Sequence, residues 1–282
     1  MASSIFPIKT FQFKNGQLAS TEDVVVVEEP LEIRLGLGDI LDRKEESVVI
    51  TMRTPGNDFE LAAGFLYCEG IINSKEQIAS IKYCYNSNDD QEEDNVVRVE
   101  LVPGVEVDLE KTERHGFSHS GCGICGLTSI DSAFKLSSNK IVKGDFKVQV
   151  DIINSLSDKA LRLQHNFKYT GGIHSASLFS EKGELLGIME DVGRHNALDK
   201  LIGTRLLNGS AFKEDQLLFL SGRMGFELVQ KAAMAGICVI ISVGAPSSLA
   251  IQLGMKMNMT LIGFTKKDKF NVYCGNERLS SD

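Results

Sequence analysis

The side chains best suited to chemistry in this sequence are two cysteines in a glycine-rich segment. Cys122 and Cys125 form a Cys-Gly-Ile-Cys motif. The surrounding glycines permit unusual backbone angles and leave the sulfur atoms poorly shielded. A helix is predicted to start near Thr128, and its positive end would lower the pKa of a nearby thiol. His115 and His119 precede the motif and could assist electrostatically if the segment folds back on itself.

Four interpretations of this cysteine pair are open. A structural zinc site would need two histidines to complete it, because the chain has only one Cys-x-x-Cys motif. A thioredoxin-like redox centre normally follows a strand directly, whereas polar residues precede this pair. Inert thiols in such a segment would be an oxidation liability. The fourth interpretation is a thiolate that accepts and passes on a group, in particular sulfur as a persulfide. The other cysteines lie singly in apolar or aromatic surroundings and are predicted to be buried or half-buried thiols: Cys68, Cys84, Cys238 and Cys274.

A second group of reactive side chains lies near the predicted ends of strands in the second half of the chain. His174 follows a pair of glycines at the start of a strand, and Asp191, Arg194 and His195 lie at a strand–helix junction. Residues at such junctions often line binding sites. Residue types alone equally allow a helix cap, a surface arginine and a core imidazole, so both interpretations remain open.

The C-terminal third of the sequence carries the clearest architectural pattern. Apolar strands are predicted to start at residues 216, 238 and 260, each 22 residues after the last, and helices are predicted between them. This rhythm is typical of β-α-β units with parallel strands. Right-handed crossovers would place the three loops that follow these strands at one edge of the sheet. Open α/β sheets bind ligands at that edge.

The residues in these three loops favour an anionic ligand. The first two loops are rich in Gly and Ser and precede helices, whose free backbone N–H groups suit an anion. The third loop, residues 265–269, contributes Lys266, Lys267 and Lys269, and Arg223 comes from the first loop. The pattern indicates a phosphate-bearing ligand, and the alternative is a solvated basic rim. No P-loop motif occurs.

Composition and charge exclude several classes of protein. The chain has 43% hydrophobic and 24% charged residues, and its longest purely apolar run, residues 237–241, is too short for a membrane span. The net charge of −8 argues against a general nucleic-acid binder. Six cysteines are too few for a disulfide scaffold. The N-terminal sequence lacks the pattern of a signal peptide, so a cytoplasmic location is expected.

The length predicts two domains. The first, residues 1–138, is predicted to contain strands around one helix and to end with the cysteine pair; the second spans residues 149–282. The predicted helix of the first domain covers residues 59–72. Its predicted strands cover residues 24–27, 33–37, 47–52, 81–85 and 96–102, and a solvated acidic loop is predicted at 86–95.

Five blocks of this sequence, taken together, resemble the FdhD family of formate dehydrogenase accessory proteins. The blocks occur in the family's order, and the resemblance extends from about residue 20 to the C-terminus. They cover residues 118–126, 170–179, 190–201, 221–225 and 242–248.

The resemblance implies both a fold and an activity. The expected fold is α/β (α+β overall), with a C-terminal cytidine-deaminase-like three-layer domain that contains a mixed sheet, and a smaller N-terminal α+β domain. The expected activity is that of a sulfurtransferase, which carries sulfur as a cysteine persulfide to the bis(molybdopterin guanine dinucleotide) molybdenum cofactor. The expected partners are a cysteine desulfurase as donor and formate dehydrogenase as recipient, with a homodimer also implied. No intrinsic metal, nucleic acid or membrane is expected.

The resemblance also assigns residues. It makes Cys122 the persulfide carrier and Cys125 its partner. The family's cofactor-binding segment corresponds to Phe264, Thr265, Lys266, Lys267, Asp268 and Lys269. Arg223, Gly244 and Ser247 are added to it from the two Gly/Ser loops.

Two further functions compete with sulfur transfer. The deaminase-like fold raises deamination, which needs His-x-Glu and Pro-Cys-x-x-Cys motifs. Ser and Ala follow His174, and Gly precedes Cys122, so the sequence excludes deamination. A cofactor-binding chaperone whose cysteines are secondary remains as the second hypothesis.

Overall fold

The computed structural model describes residues 3–86, 91–107, 146–210, 212–213 and 215–281. Two larger sheets, one with a single helix and one with several helices packed on it, make up most of this part of the chain. No helix in these ranges is long and apolar enough to cross a membrane. The predicted boundary between the two domains, near residues 139–148, falls largely outside the described residues.

The chain begins with a two-stranded antiparallel hairpin, β1 (Ile5–Lys14) and β2 (Gln17–Val26). Asn15 and Gly16 connect the strands with φ angles of 54° and 81°, as a tight hairpin turn requires. Only residues 24–27 were predicted as a strand here, so the prediction missed most of the hairpin. Phe11 and Phe13 are 69% and 71% exposed on it.

A four-stranded sheet with one helix packed on it follows, where the sequence predicted strands around one helix. Its elements are β3 (Glu29–Leu37), β4 (Lys44–Arg53), α1 (Asp58–Cys68), β5 (Ile78–Asn86) and β6 (Gln91–Leu101). The strand order is β4-β3-β6-β5, and β3 runs parallel to β6. Leu61 and Leu66 of α1 pack in one core with Ile33, Val97 and Val99 of the sheet.

Two boundaries differ from the sequence prediction. Within the predicted acidic loop 86–95, the described residues 86 and 91–95 are strand, because β5 and β6 continue their antiparallel pairing as far as Asn86 and Gln91. The helix predicted to reach residue 72 ends at Cys68, because Gly70 adopts a positive φ of 70° and the chain turns back there.

The second half contains the larger sheet. Its elements are β7 (Val148–Gln149), α2 (Val150–Leu163), α3 (His165–Thr170), β8 (His174–Phe179), β9 (Leu185–Asp191), α4 (Arg194–Leu207), β10 (Leu217–Leu220), α5 (Phe226–Met234), β11 (Val239–Ser242), α6 (Ser248–Lys256), β12 (Thr260–Lys266), β13 (Lys269–Cys274) and β14 (Leu279–Ser280). Six strands form a mixed sheet in the order β13-β12-β11-β10-β8-β9, and β7 pairs with β14. Strands β10, β11 and β12 are parallel, which confirms the predicted β-α-β rhythm.

Helices cover both faces of this mixed sheet. Side chains along β10 alternate between the two faces of the sheet. Leu218 and Leu220 lie in a core shared with α4, α5 and α6. Leu217 and Phe219 lie in a core shared with α2. Because β10, β11 and β12 run parallel, their carboxyl ends lie at the same edge of the sheet.

The two sheets are joined by a close crossing of α1 and α4. A Cβ added to Gly64 would lie 1.9 Å from the carbonyl oxygen of Asp199, and one added to Gly203 would lie 1.8 Å from that of Glu60. Only glycine therefore lets the two helix backbones approach this closely. The helix on the N-terminal sheet is thus packed directly against α4 of the mixed sheet.

Candidate functional site

The loops that follow β10 and β11 meet at the carboxyl edge of the mixed sheet, as predicted, and β12 joins them there at Phe264. The backbone N–H of Gly244 donates to the carbonyl of Gly222 at 3.3 Å, and that of Phe264 donates to the carbonyl of Gly244 at 3.1 Å. Met224 N–H donates to the Ala245 carbonyl at 3.0 Å. The ends of β10, β11 and β12 thus form one continuous backbone surface.

The structure brings Arg223, Gly244 and Ser247 together on this surface. A Cβ on Gly244 would lie 2.8 Å from the Cα of Arg223, so the close approach of the two loops requires glycine at this position. Ser247 caps α6, because its hydroxyl accepts a hydrogen bond from Ala250 N–H at 3.2 Å. The Arg223 side chain is exposed.

The predicted lysine loop is a strand hairpin instead. Strand β12 continues to Lys266, Lys267 and Asp268 form the turn, and Lys269 begins β13 opposite Lys266. Asp268 has a φ of 62°, which allows this tight reversal. The sequence prediction ended the strand at residue 264, because the polar run looked like a loop. All three lysines are exposed on this hairpin, beyond the edge of the sheet.

Phe264 and Thr265 connect the edge to the lysine hairpin and have unusual environments. Phe264 adopts a φ of 54°, which is rare for a residue with a Cβ, and its side chain is 46% exposed. Thr265 is 1% exposed, and its hydroxyl has no hydrogen-bond partner within the described ranges of the chain. Backbone strain, an exposed ring and an unsatisfied hydroxyl in adjacent residues are typical of a ligand site.

The cysteine pair cannot be placed relative to this edge, because Cys122 and Cys125 lie outside the described residues. The zinc and redox interpretations of that pair are untested for the same reason. The predictions for the other cysteines are confirmed: Cys68 and Cys238 are buried, and Cys84 and Cys274 are half-buried. Burial raises the pKa of both the Cys68 and the Cys274 thiols, so these two are poor nucleophiles at neutral pH.

Asp191 belongs to a buried network between the two sheets. Its carboxylate contacts the Lys200 ammonium at 2.8 Å and accepts hydrogen bonds from the N–H groups of Thr54 at 3.1 Å and Gly193 at 2.8 Å. Lys200 also donates to the Thr54 carbonyl at 2.7 Å. Burial raises the pKa of Asp191, and the Lys200 charge opposes that shift. Asp191 therefore positions the strand–helix junction that carries Arg194 and is shielded from solvent itself.

His174, Arg194 and His195 lie at the carboxyl edge, on the side of α4. Burial, together with the Arg194 charge, lowers the pKa of His174 and lowers that of His195 to about 3. Both imidazoles are therefore neutral at pH 7. His195 Nε2 lies 3.2 Å from Glu227, a contact that a neutral imidazole makes as a hydrogen bond rather than as an ion pair.

A cavity of about 500 Å³ opens beside this edge, between the sheet and helices α2 and α3. Most of its wall is apolar, with a few polar groups, a composition typical of sites for small organic ligands. Its walls include Leu161, Gln164, Phe167, His174, Phe219 and Ser221.

Sequence reasoning missed several residues of this region. Gln164 and Ser221 line the cavity, and Glu227 holds His195. Gln164 lies in a junction between two helices that no sequence signal marked. Ser221 directly follows a predicted strand, so its position at the edge was available as a signal.

The fold and the edge define a class of protein, a mixed α+β chain with a cationic, Gly- and Ser-rich edge. Among the residues that the structure describes, no three or more metal-ligating side chains form a group. Comparison with known sequences then gives the family. The sequence model of the FdhD/NarQ family matches residues 26–280. The chain belongs to the FdhD/NarQ family.

Relatives with similar sequences extend over nearly the whole chain. A protein named sulfur carrier protein FdhD from Streptomyces avermitilis is 42% identical, with 96% of this chain and 94% of the relative covered. Proteins of the same name from Sulfurisphaera tokodaii and Thermoplasma volcanium are 40% and 43% identical, covering 96% and 92% of this chain and 98% and 90% of theirs.

A solved structure has a similar fold. It is the crystal structure of a chain named as a formate dehydrogenase accessory protein from Desulfotalea psychrophila. The TM-score is 0.72 at 23% sequence identity, and the match covers 99% of this chain and 100% of that one. At this identity the match shows a shared fold.

Proposed function

We propose that this protein carries sulfur, as a persulfide on Cys122, from a cysteine desulfurase to a bis(molybdopterin guanine dinucleotide) molybdenum cofactor destined for formate dehydrogenase. Membership of the FdhD/NarQ family supports the proposal, as does the name sulfur carrier protein that its relatives bear. A cytidine-deaminase-like layout of the C-terminal half and a homodimer are part of the same proposal.

The observation that carries the proposal from the structure is the continuous carboxyl edge with its cationic hairpin. A cofactor with two guanine nucleotides bears several phosphates. Backbone N–H groups in Gly/Ser loops and lysine ammonium groups are ordinary phosphate ligands in proteins. The exposed Phe264 ring provides a surface on which a guanine or pterin ring can stack. The residues present therefore fit a cargo that is both multiply anionic and aromatic.

The proposed transfer needs a nucleophilic thiolate and no external redox reagent. The Cys122 thiolate attacks the terminal sulfur of the donor's persulfide, the donor's S–S bond breaks, and the donor cysteine leaves as a thiolate. Cys122 then bears the terminal sulfur, and its own S–S bond breaks when that sulfur passes to the cofactor's molybdenum as sulfide; the two electrons come either from Cys125, which ends in a disulfide with Cys122, or from reduced molybdenum. Cys125 either assists release or adjusts the thiol's pKa.

Mass spectrometry tests the sulfur half of the proposal. After incubation with a cysteine desulfurase and cysteine, the peptide containing Cys122 should gain the mass of one sulfur atom, and a reductant should remove it. A Cys274→Ala variant should still be labelled, because burial makes that thiol a poor nucleophile. Labelling of Cys125 or of another cysteine, with Cys122 unmodified, would contradict the assignment.

Replacing the hairpin lysines tests the cofactor half. Changing Lys266, Lys267 and Lys269 together to Ala should weaken binding of guanosine diphosphate by roughly tenfold or more, because each lost charge–phosphate contact removes about a kcal/mol at low salt. The difference should shrink as salt is raised. Isothermal titration calorimetry measures both effects. An unchanged affinity would show that the hairpin does not hold the phosphates.

A further inference from the structure

The outer end of the N-terminal hairpin carries an exposed apolar patch. Phe11 and Phe13 are two residues apart on β1, so their side chains lie on the same face of the hairpin. Leu18 of β2 lies directly opposite Phe13 on that face. The three side chains are 69%, 71% and 66% exposed. We call this patch, together with Lys14 beside the turn, the hairpin tip.

The same face is covered at the base of the hairpin. Ile5 and Val26 are paired there and are half-buried. A Cγ atom of Val26 lies 4.0 Å from the point that a Cβ on Gly172 would occupy, and the Ser4 hydroxyl donates to the Asn166 side chain at 3.1 Å. The base is therefore fixed on α3 and the residues after it, while the outer part of the same face is left exposed.

The pairing of the two strands makes this exposure unusual. Ten successive residue pairs run from the base to the turn without a bulge, and neither strand pairs with a third strand within the described ranges of the chain. An isolated hairpin is only marginally stable in water, and native proteins usually cover or pair a long regular edge. Exposed aromatic side chains on such an element indicate an interaction surface.

The size of the patch argues against a permanent dimer through it. A phenylalanine side chain can bury roughly 150–250 Å², so three large side chains that are about two-thirds exposed present about 400 Å². Two copies joined through this patch would bury about 800 Å² in total, about half the area of a standard stable interface. Areas of this size are typical of transient contacts, which a protein that delivers a cargo and then leaves requires.

The charge of the hairpin tip predicts an acidic rim on the partner. Residues 10–21 form the outer part of the hairpin and contain Lys14 and no acidic residue, although the whole chain has a net charge of −8. Nearer the base, Lys9 lies opposite Glu22, so that pair balances itself. In a two-fold dimer of hairpin tips, Lys14 would find no anion on the other copy. An apolar groove with acidic residues at its rim is the complementary surface.

The position of the hairpin selects among transient partners. The hairpin is fixed on α3 and on Gly172, and Phe167 of α3 and Gly172 form part of the wall of the cavity beside the carboxyl edge. A protein that binds the hairpin is therefore brought to the side of the molecule where we propose that the cofactor lies. This favours the protein that receives the cofactor over the sulfur donor, which has to reach Cys122.

We propose that the hairpin tip is the surface on which formate dehydrogenase, still without its molybdenum cofactor, docks through an apolar groove with an acidic rim. Phe11 and Phe13 are the apolar anchors, and Lys14 contacts the rim. The inference rests on the proposed function for the identity of the partner.

Binding of the purified full chain to formate dehydrogenase that lacks its molybdenum cofactor tests the docking surface. Changing Phe11 and Phe13 together to Ser should weaken binding at least about tenfold, because buried aromatic anchors dominate the binding energy of an interface. Lys14→Glu should weaken it about threefold or more at low salt, and the effect should shrink as salt is raised. Biolayer interferometry measures both dissociation constants.

Phe6→Ser is the matched control. Phe6 is 56% exposed on the same strand, and its odd-numbered spacing from Phe11 and Phe13 places it on the opposite face. This variant should bind the dehydrogenase within about twofold of the native affinity. The melting temperature of the double Phe variant should equal the native value, because the two rings are exposed. A marked fall would show that another part of this chain covers the tip, and would overturn the proposal.

Two measurements identify the occupant of the patch. Analytical ultracentrifugation should give the same mass for the native protein and the double Phe variant, and conversion of a native dimer into a monomer would assign the patch to a second copy. Sulfur loading of Cys122 by a desulfurase should be unchanged in the variant, and lost loading with normal dehydrogenase binding would assign the patch to the sulfur donor. Unchanged dehydrogenase binding by the folded variant, or no binding by the native protein, also overturns the proposal.

Failure of this inference is distinguishable from failure of the proposed function. If Cys122 is loaded with sulfur and guanosine diphosphate binds, while the double Phe variant binds the dehydrogenase normally, the docking surface alone is wrong. If dehydrogenase binding depends on Phe11 and Phe13, while Cys122 takes up no sulfur and no guanine nucleotide binds, the docking surface stands and the sulfur-carrier proposal is wrong.

Discussion

Replacing Cys122 by alanine is expected to reduce formate dehydrogenase activity by about a hundredfold or more in cells that depend on this protein. The physical reason is that alanine cannot accept a sulfur atom, and loss of a covalent nucleophile typically lowers turnover by several orders of magnitude. Binding of guanosine diphosphate should stay within about twofold of the native value, because the edge that we propose for the cofactor contains no cysteine. Enzyme assays of cell extracts and calorimetry of the purified variant give the two readouts.

Two matched variants sharpen the interpretation of this result. Cys274→Ala should leave activity unchanged, since burial raises the pKa of that thiol and its sulfur bonds the Met259 carbonyl. Cys125→Ala separates a resolving role, which would lower activity strongly, from tuning of the pKa, which would lower it slightly. Full activity in Cys122→Ala would eliminate the persulfide carrier and leave a cofactor-binding chaperone.

Gly203→Ala should destabilise the protein by about 2 kcal/mol or more, against the usual trend for a helix. Glycine-to-alanine changes inside helices normally stabilise by roughly 0.5–1 kcal/mol. Here the added methyl group would lie 1.8 Å from the Glu60 carbonyl oxygen and would force α1 and α4 apart. Urea unfolding followed by circular dichroism measures the change in the free energy of unfolding.

Gly64→Ala should have a similar cost, because its methyl group would meet the Asp199 carbonyl at 1.9 Å from the other side of the same crossing. Gly172→Ala is the matched control: a Cβ there meets nothing closer than 3.7 Å. Its effect should stay within about 0.5 kcal/mol. A stability of Gly203→Ala equal to or above the native value would show that the helices do not need this close approach.

The parallel strands were predictable because each carries its own local signals. Residues 217–220, 239–242 and 260–264 are short apolar runs, and each run is followed by turn-forming or polar residues at nearly constant spacing. Those patterns also fix which loops share an edge. The N-terminal hairpin had an equally strong local signal in Asn15-Gly16, and the prediction missed it because the flanking strands mix apolar and polar residues without a clean alternation.

The buried polar groups could not be predicted from the sequence. Lys200 is 2% exposed because Asp191 and the Thr54 carbonyl, from distant parts of the chain, neutralise and bind its ammonium group. In the sequence, a lysine within a predicted helix is interpreted as solvent-exposed, and nothing near Lys200 in the sequence indicates its burial. The same holds for Lys231, which is held by Asp199 at 2.9 Å.

The candidate site was only partly predictable for a related reason. Gly/Ser loops and clustered lysines are visible in the sequence, so Arg223, Gly244, Ser247 and the hairpin lysines could be named in advance. The missing hydrogen-bond acceptor for the buried Nε of Arg194, within the described part of the chain, could not be predicted, because it depends on which acceptor groups the fold places near the guanidinium. That deficit is visible only once Glu227 is seen to bond His195.

Hydrogen bonds between the segment at Thr54 and the junction after β9 connect the two halves of the chain, so neither half is complete without the other. The Val192 N–H donates to the Thr54 hydroxyl at 3.1 Å, and the Asn196 side chain donates to the Met52 carbonyl at 2.8 Å. A truncated gene product that kept only the later half would lose these acceptors and expose Gly203 of α4, which α1 covers in the full chain. The C-terminal half therefore depends on the earlier half for its integrity, and we expect the two to be inherited and expressed as one piece.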